Sequence, residues 1–272
     1  MAEAFETLLA SDFTARSDRP LARALRLARD HGGRLVIAHV LEKDDGPPDP
    51  ATIEKLRMKL PPEARGAELV VHGGSVPRVL ARIAAERGSD LIVTGVGRRD
   101  GIGDYLLGTA VDHIVRHAAA PVLVVRRPAG GAYARMVVAT DLSECARQAL
   151  RTAIRLFPEA AVTLVHAFHV PFEGWLKSDD VKQHVRAEAQ AALDAFLAGA
   201  GVASASARIE ALVEEGETGS VVIRQLERTG ANLLALGTHG RGGFVHAAIG
   251  SQAAALLAAA DADVLMVREG KA

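Results

Sequence analysis

The sequence predicts an α/β protein built as two tandem doubly wound domains, each around a five-stranded parallel sheet. Three observations carry that prediction: an internal repeat, a regular alternation of apolar and helix-like runs, and a short Pro/Gly/Ala link near the middle of the chain. The repeat is plainest at two places. LLASDFTARSDRPLARAL from Leu8 is answered by VVATDLSECARQAL from Val137, and SDLIVTGVGRRDGIGDYLLGT from Ser89 aligns without a gap on ANLLALGTHGRGGFVHAAIGS from Ala231. Each copy closes on a continuously apolar run, PVLVVRR from Pro121 and DVLMVRE from Asp263, the pattern of strands covered on both faces. At 272 residues the chain has room for two cores. The link from Arg127 to Tyr133, RPAGGAY, separates an expected domain 1–128 from a second at 133–272.

Taken in order, the apolar runs put strands of the first copy near 7–10, 35–40, 68–71, 91–94 and 122–125. Those of the second fall near 136–139, 162–167, 209–213, 233–236 and 264–267. Helix-like segments lie between them, so the strands should run parallel through βαβ crossovers. The copies differ mainly between their second and third strands, where the second carries a longer segment, 168–206. Within it Val181, Val185, Ala189, Ala192 and Phe196 recur at near-helical spacing, which predicts an amphipathic helix over about 179–197, with Asp179 or Ser178 able to cap it. The Ala-rich run from Ala253 to Ala260 reads as a buried helix face.

Composition narrows the function classes. With 32 basic and 33 acidic residues the formal charge is −1, so no global field draws the chain to nucleic acid or an anionic membrane. Cys145 is the only cysteine, which leaves no internal disulfide and no cysteine-rich zinc site and suits a reducing, cytoplasmic setting. The opening MAEAFETLLASDF lacks the basic flank and apolar stretch of a signal peptide, and no apolar run reaches membrane-spanning length.

The chemistry concentrates in the second copy, where Gly237-Thr-His-Gly240 follows a strand and, nine residues on, Gly250-Ser251 opens a helix. Glycines allow tight turns and close backbone approach, and unpaired N–H groups at a helix start point at an anion. Ser251 adds a hydroxyl. The first strand of the copy ends in Thr140-Asp141, which should lie beside the fourth-strand end, where strand order reverses and ligands settle. Asp141 could there accept hydrogen bonds from a ribose or an adenine amino group. Doubly wound folds also use glycine at such turns without a ligand, so the residues alone leave both readings open.

The pattern G-x-x-G-x9-G-S/T after an apolar strand, with an Asp ending the first strand, resembles the nucleotide-binding pattern of the universal stress protein family, once per copy and over essentially the whole chain. The resemblance implies flavodoxin-like, adenine-nucleotide α-hydrolase-like domains that pair in pseudo-twofold fashion through their last strands. It also implies ATP or a related adenine nucleotide, with or without Mg, in a stress-response role without established metabolic turnover. By position, Asp141 would contact adenosine and Ala167, where the family more often has valine, would offer its backbone. Gly237, Gly240, Gly250 and Ser251 would cradle the phosphates. The weaker first-copy counterparts are Asp12, Val40, Gly95, Gly108 and Thr109. There Arg98 stands where Gly240 stands, Gly97 is displaced by one residue, and Asp100 and Asp104 would repel a polyphosphate, although Arg98 and Arg99 could reach a phosphate by side chain.

Other residues read more simply as structure. His113 and His117, at i and i+4, could share a helix face and bind zinc, but no third ligand is evident. His39 and His166 recur at the ends of second strands, which favours a bonding role in the shared fold over catalysis. His169 and His184 join His166 around the insertion at spacings that match no zinc pattern. Cys145, near a helix start, could be redox-sensitive but reads first as buried. The leading expectation is therefore a cytoplasmic, nucleotide-binding regulatory protein that engages an unknown protein partner and could pair as a homodimer. The rivals are a nucleotide-free interaction module and a slow nucleotide hydrolase. Neither a Walker lysine nor a carboxylate pair for two metals supports the hydrolase.

Overall fold

The computed structural model describes residues 4–41, 48–96, 109–169, 179–240 and 249–269, without the side chains of residues 109, 110 and 179, and every structural statement below concerns those residues. The chain divides into two compact units, Met1–Gly131 and Ala132–Ala272. In the first, the order is β1 (Glu6–Ala10), α1 (Asp18–Asp30), β2 (Arg34–Leu41), α2 (Pro50–Lys59), β3 (Glu68–Gly73), α3 (Val76–Arg87), β4 (Leu91–Gly95), α4 (Thr109–His117) and β5 (Val122–Val125). The second repeats it as β6 (Arg135–Ala139), α5 (Glu144–Leu156), β7 (Ala161–Phe168), α6 (Asp179–Ala198), β8 (Ile209–Glu215), α7 (Thr218–Thr229), β9 (Leu233–Gly237), α8 (Ser251–Ala259) and β10 (Asp263–Val267).

Each unit is a parallel, doubly wound sheet of the flavodoxin-like class. Its strand orders are β3-β2-β1-β4-β5 and β8-β7-β6-β9-β10. All ten expected strands are present, displaced at their ends by no more than two residues. Their apolar runs are enclosed as continuous runs should be: Leu8, Leu9, Val36 and Ile37 in one unit and Leu233, Leu234, Ala235 and Leu265 in the other are fully buried. Burial of each such Leu, Ile or Val side chain contributes about 1.5–3 kcal/mol.

Local chemistry sets the helix ends. Ser143 accepts from the Ala146 amide to start α5, and Glu217 accepts from the Gly219 and Ser220 amides to start α7. Gly88 and Gly230 adopt left-handed φ values of 62° and 61° to end α3 and α7, a conformation that glycine reaches without strain. Helix α2 was not anticipated individually. Its signal is Asp49-Pro50, where the Asp49 carboxylate accepts from the Thr52 amide and proline takes the first helical position.

The insertion of the second unit holds α6, as its spacing predicts, with one correction to the face. Leu193 and Phe196 are buried and Ala192 is exposed, because four residues beyond Ala189 falls at Leu193, the larger apolar side chain. The far end of α6 is tied down by α5: Arg147 lies 5.1 Å over the Phe196 ring, and Arg151 donates to the Ala200 carbonyl at 2.6 Å. In α8 the enclosed residues are Leu256 and Leu257, while Ala255 and Ala259 are exposed, so the alanines do not form a wholly buried face.

At the N-terminal edge of the first sheet, Glu6 is almost fully buried. It accepts from Arg87 at 3.0 Å through both oxygens and from Ser89 Oγ at 2.7 Å, and it pairs with Arg34 at 2.7 Å. Burial alone would raise its pKa; the hydrogen bonds from Arg87 and Ser89 and the two guanidinium charges outweigh that and hold it below the ordinary value.

Candidate functional site

The strand order of the second unit reverses between β6 and β9, and the candidate residues gather at the C-terminal ends of these strands. Asp141 follows β6. Its Oδ1 accepts from the Ser143 amide at 3.1 Å, while a Cβ built on Gly240 would lie 2.6 Å from its Oδ2. Gly240 and Asp141 are thus in contact although far apart in sequence. The Gly250 amide donates to the Thr238 carbonyl at 2.9 Å, which ties the start of α8 to the loop after β9. Gly250 caps α8 and Ser251 is its first residue. Continuing the β6–β7 register from Ala139 opposite Val165 brings Ala167 level with Asp141. Leu142, next to Asp141, takes a left-handed φ of 66°, and its equivalent Phe13 one of 56°. A non-glycine residue held there in both units is a strained turn of the kind that folds retain at ligand-facing loops.

The glycines play different parts. A Cβ on Gly237 would come within 2.9–3.1 Å of Cys145 and Ala146 at the start of α5, so this glycine is needed for helix-to-strand packing whether or not a ligand binds. A Cβ on Gly250 would meet nothing closer than 3.6 Å, and its φ of −56° is open to any residue. Among the described residues, then, no contact shorter than ordinary van der Waals distance requires glycine at position 250.

The first unit builds the same turn, and its carboxylate, like that of Asp141, accepts from the amide two residues on. Asp12 Oδ1 accepts from the Thr14 amide at 2.9 Å, Thr14 Oγ1 at 2.8 Å and Ser17 Oγ at 2.7 Å. Burial would raise its pKa, but these hydrogen bonds and Arg16 bring it below the ordinary value, so the charge serves the loop itself. Gly95 is tight against α1, with Pro20 Cγ 3.1 Å from a built Cβ, and Val40 is buried in β2. Arg98, Asp100, Asp104, Gly108 and the Thr109 side chain lie outside the described residues.

His39 and His166 have the bonding role that their recurrence suggested: each Nδ1 donates to the carbonyl before the aspartate turn, Ser11 at 2.8 Å and Thr140 at 2.9 Å. His113 and His117 stack with centroids 3.9 Å apart, and burial, then His117 and Arg78, lower the pKa of His113. Cys145 is buried with Sγ 3.5 Å from the Val267 carbonyl. Among the described residues no group of three His, Cys, Asp or Glu side chains is placed to hold a metal ion, and no helix is long and apolar enough to cross a membrane. A groove of about 560 Å³ between α7 and α8, lined in part by Ser220, Ala255 and Ala259, is separate from the Asp141 crevice. Sequence reasoning passed over Thr238 and His239, treating the positions between the two glycines as spacers.

Fold and crevice define a tandem doubly wound α/β protein with an aspartate turn facing a glycine loop where the strand order reverses. The sequence model of the universal stress protein family matches residues 6–126 and again 132–268, and the chain belongs to that family. Among solved structures it is similar to a functionally unknown protein from Pseudomonas aeruginosa PAO1, at 18% identity and a TM-score of 0.69, covering 97% of this chain and 92% of that one. It is also similar to a universal stress protein from Archaeoglobus fulgidus DSM 4304, at 16% identity and a TM-score of 0.64, covering 99% and 98%. At these identities the likeness concerns the fold. No curated protein sequence matches the chain significantly.

Proposed function

We propose that the second unit binds ATP or a related adenine nucleotide, with Mg accompanying the phosphates, and that occupancy regulates the protein's engagement with a protein partner in the cytoplasm. The observation that carries this reading is the contact of Gly240 with Asp141 beside the unencumbered Gly250 at the start of α8. Asp141 supplies an acceptor for the ribose or adenine, and the α8 amides with the Ser251 hydroxyl supply donors for phosphate. In this reading Ala167 offers its backbone at the same end. The glycine turns are followed by Arg241 and by Ser251-Gln252 rather than by lysine, and binding energy in such a site biases a conformational equilibrium instead of driving turnover.

The test is made on the purified protein without added ligand. Mass analysis after mild denaturation is expected to release an adenine nucleotide, and steady-state phosphate release from ATP with magnesium should not exceed that of the Gly250→Val variant. Absence of retained nucleotide together with no calorimetric response to ATP and magnesium would remove the reading. Phosphate release that depends on Gly250 would instead make the protein an enzyme.

A further inference from the structure

The groove between α7 and α8 of the second unit holds about 560 Å³, a volume within the range of small-molecule sites. Its floor is apolar: Leu256 is buried, Ile223 is half-buried, and Ala255 and Ala259 are exposed along it. The two copies align without a gap from Ser75 and Glu217 onward, so each lining position has a counterpart in the first unit. Where the second copy has Ser220, Ala255 and Ala259, the first has Arg78, His113 and His117. Those three side chains meet: the histidine rings stack with centroids 3.9 Å apart, and the charge of Arg78 reaches His113. Short side chains at the same places leave the space open in the second unit.

The charges at the ends of the groove differ as well. Glu217 stands where the first copy has Ser75, and Glu227 where it has Ala85. Both glutamates are exposed. Glu217 accepts from the Gly219 and Ser220 amides, which hold its pKa below the ordinary value and keep it ionised, while the start of α7 offsets part of its charge. The Glu227 carboxylate has no hydrogen bond or ion pair among the described residues. Arg224, the cation of the lining, is paired with Glu214 at 2.8 Å. Positions 217 and 227 are ten residues apart, about 15 Å along α7 at the helical rise. A ligand that meets both carboxylates and follows the floor has to be long, slender and apolar in its body, with positive charge towards each end.

We propose that the α7–α8 groove is a second ligand site, which takes a linear aliphatic polyamine. Its methylene chain lies over Ile223, Leu256, Ala255 and Ala259, one ammonium group pairs with Glu227, and another faces Glu217. A protein helix fits less well, because ten lining residues fall short of the roughly 20–30 that a stable protein interface uses on each side. The proposal stands independently of the nucleotide reading, since none of these residues belongs to the Asp141 crevice.

The test is titration of the full chain with spermine, followed by amide chemical shifts and calorimetry, on the parent, on Glu227→Ala and on the double variant Ala255→His/Ala259→His. These changes install the first copy's own residues at exposed helix positions, so the fold is expected to persist. In the parent, the amide signals of Ser220, Ala255 and Ala259 should move along one saturating curve with a stoichiometry near one. Glu227→Ala should weaken spermine about three- to tenfold through loss of the ion pair. The double variant should weaken it about tenfold or more, because two imidazoles occupy the floor. Octanediol with a hydroxyl at each end, which keeps the apolar chain without the charge, should bind at least about threefold more weakly than spermine. Unmoved amides in the parent, or octanediol binding as tightly as spermine, would overturn the proposal. So would spermine affinity unchanged in either variant, which would place the amine elsewhere, on a retained nucleotide for example.

Discussion

The distinction between Gly237 and Gly250 is a matter of a few ångströms and gives a prediction at the residue scale. Gly237→Ala puts a methyl group within 2.9–3.1 Å of Cys145 and Ala146 and is expected to destabilise the second unit by about 1–3 kcal/mol, read as a lower midpoint in denaturant. At Gly250 a Cβ meets the described residues only at ordinary van der Waals distance, 3.6 Å or more, and φ is an ordinary −56°, so the Gly250→Val fold should survive while ATP affinity falls by about tenfold or more, since Cβ occupies the path of the phosphate. A Gly250→Val protein with unchanged ATP affinity would show that the start of α8 faces no phosphate. Both residues belong to one sequence motif, and nothing in the motif separates their roles. Thr238 and His239 were equally visible as letters, yet neither the 2.8 Å contact of Thr238 Oγ1 with His239 Nδ1 nor the burial of Thr238 is encoded in spacing.

Elements are bound to one another at the N-terminal edge of the first sheet, where Glu6 of β1 holds Arg34 of β2 and Arg87 of α3, and Arg87 in turn holds Glu68 of β3 at 2.7 Å. The lowered pKa of Glu6 means that the folded state binds its proton less readily than the unfolded chain. Its contribution is therefore complete above the ordinary carboxylate range and lost as pH falls through that range to the lower folded value. Stability of the parent should decline with acidification below about pH 5. Glu6→Gln should flatten part of that slope, and at neutral pH it should cost about 1–3 kcal/mol by replacing a charged acceptor of Arg87 and Ser89 with a neutral one, since Arg87 keeps Glu68 and Arg34 reaches solvent. Parallel pH profiles for parent and variant would show that the network is not a source of the acid sensitivity. The same scale explains α6: its existence was legible as a helical period, but the choice of Leu193 over Ala192 followed from how the face meets the strands beneath it.

For the whole molecule, duplication of a fold need not duplicate a site. Asp12 accepts three hydrogen bonds from its own loop and Asp141 touches Gly240, and because Arg98 takes the place of Gly240 in the first copy, one adenine nucleotide per chain is expected, in the second unit. Calorimetry should give a stoichiometry near one, unaffected by Gly108→Val. Two equivalents, or equal losses from Gly108→Val and Gly250→Val, would restore a working site to the first copy.

What the sequence by itself determined is the architecture: the number of strands, their parallel sense, the repeat and the helix of the insertion. The strands and helices follow from apolar periodicity and from the residues that start and stop helices, both written within a window of about 20 residues, and the repeat follows from similarity between the halves. The tertiary structure decided which glycine is held against a neighbouring helix and which lies against the aspartate turn. Those properties depend on atoms brought together from distant parts of the chain, such as Gly237 against Cys145 and Gly240 against Asp141. Local pattern has no access to such distances, because they exist only once the strands have taken their order in the sheet.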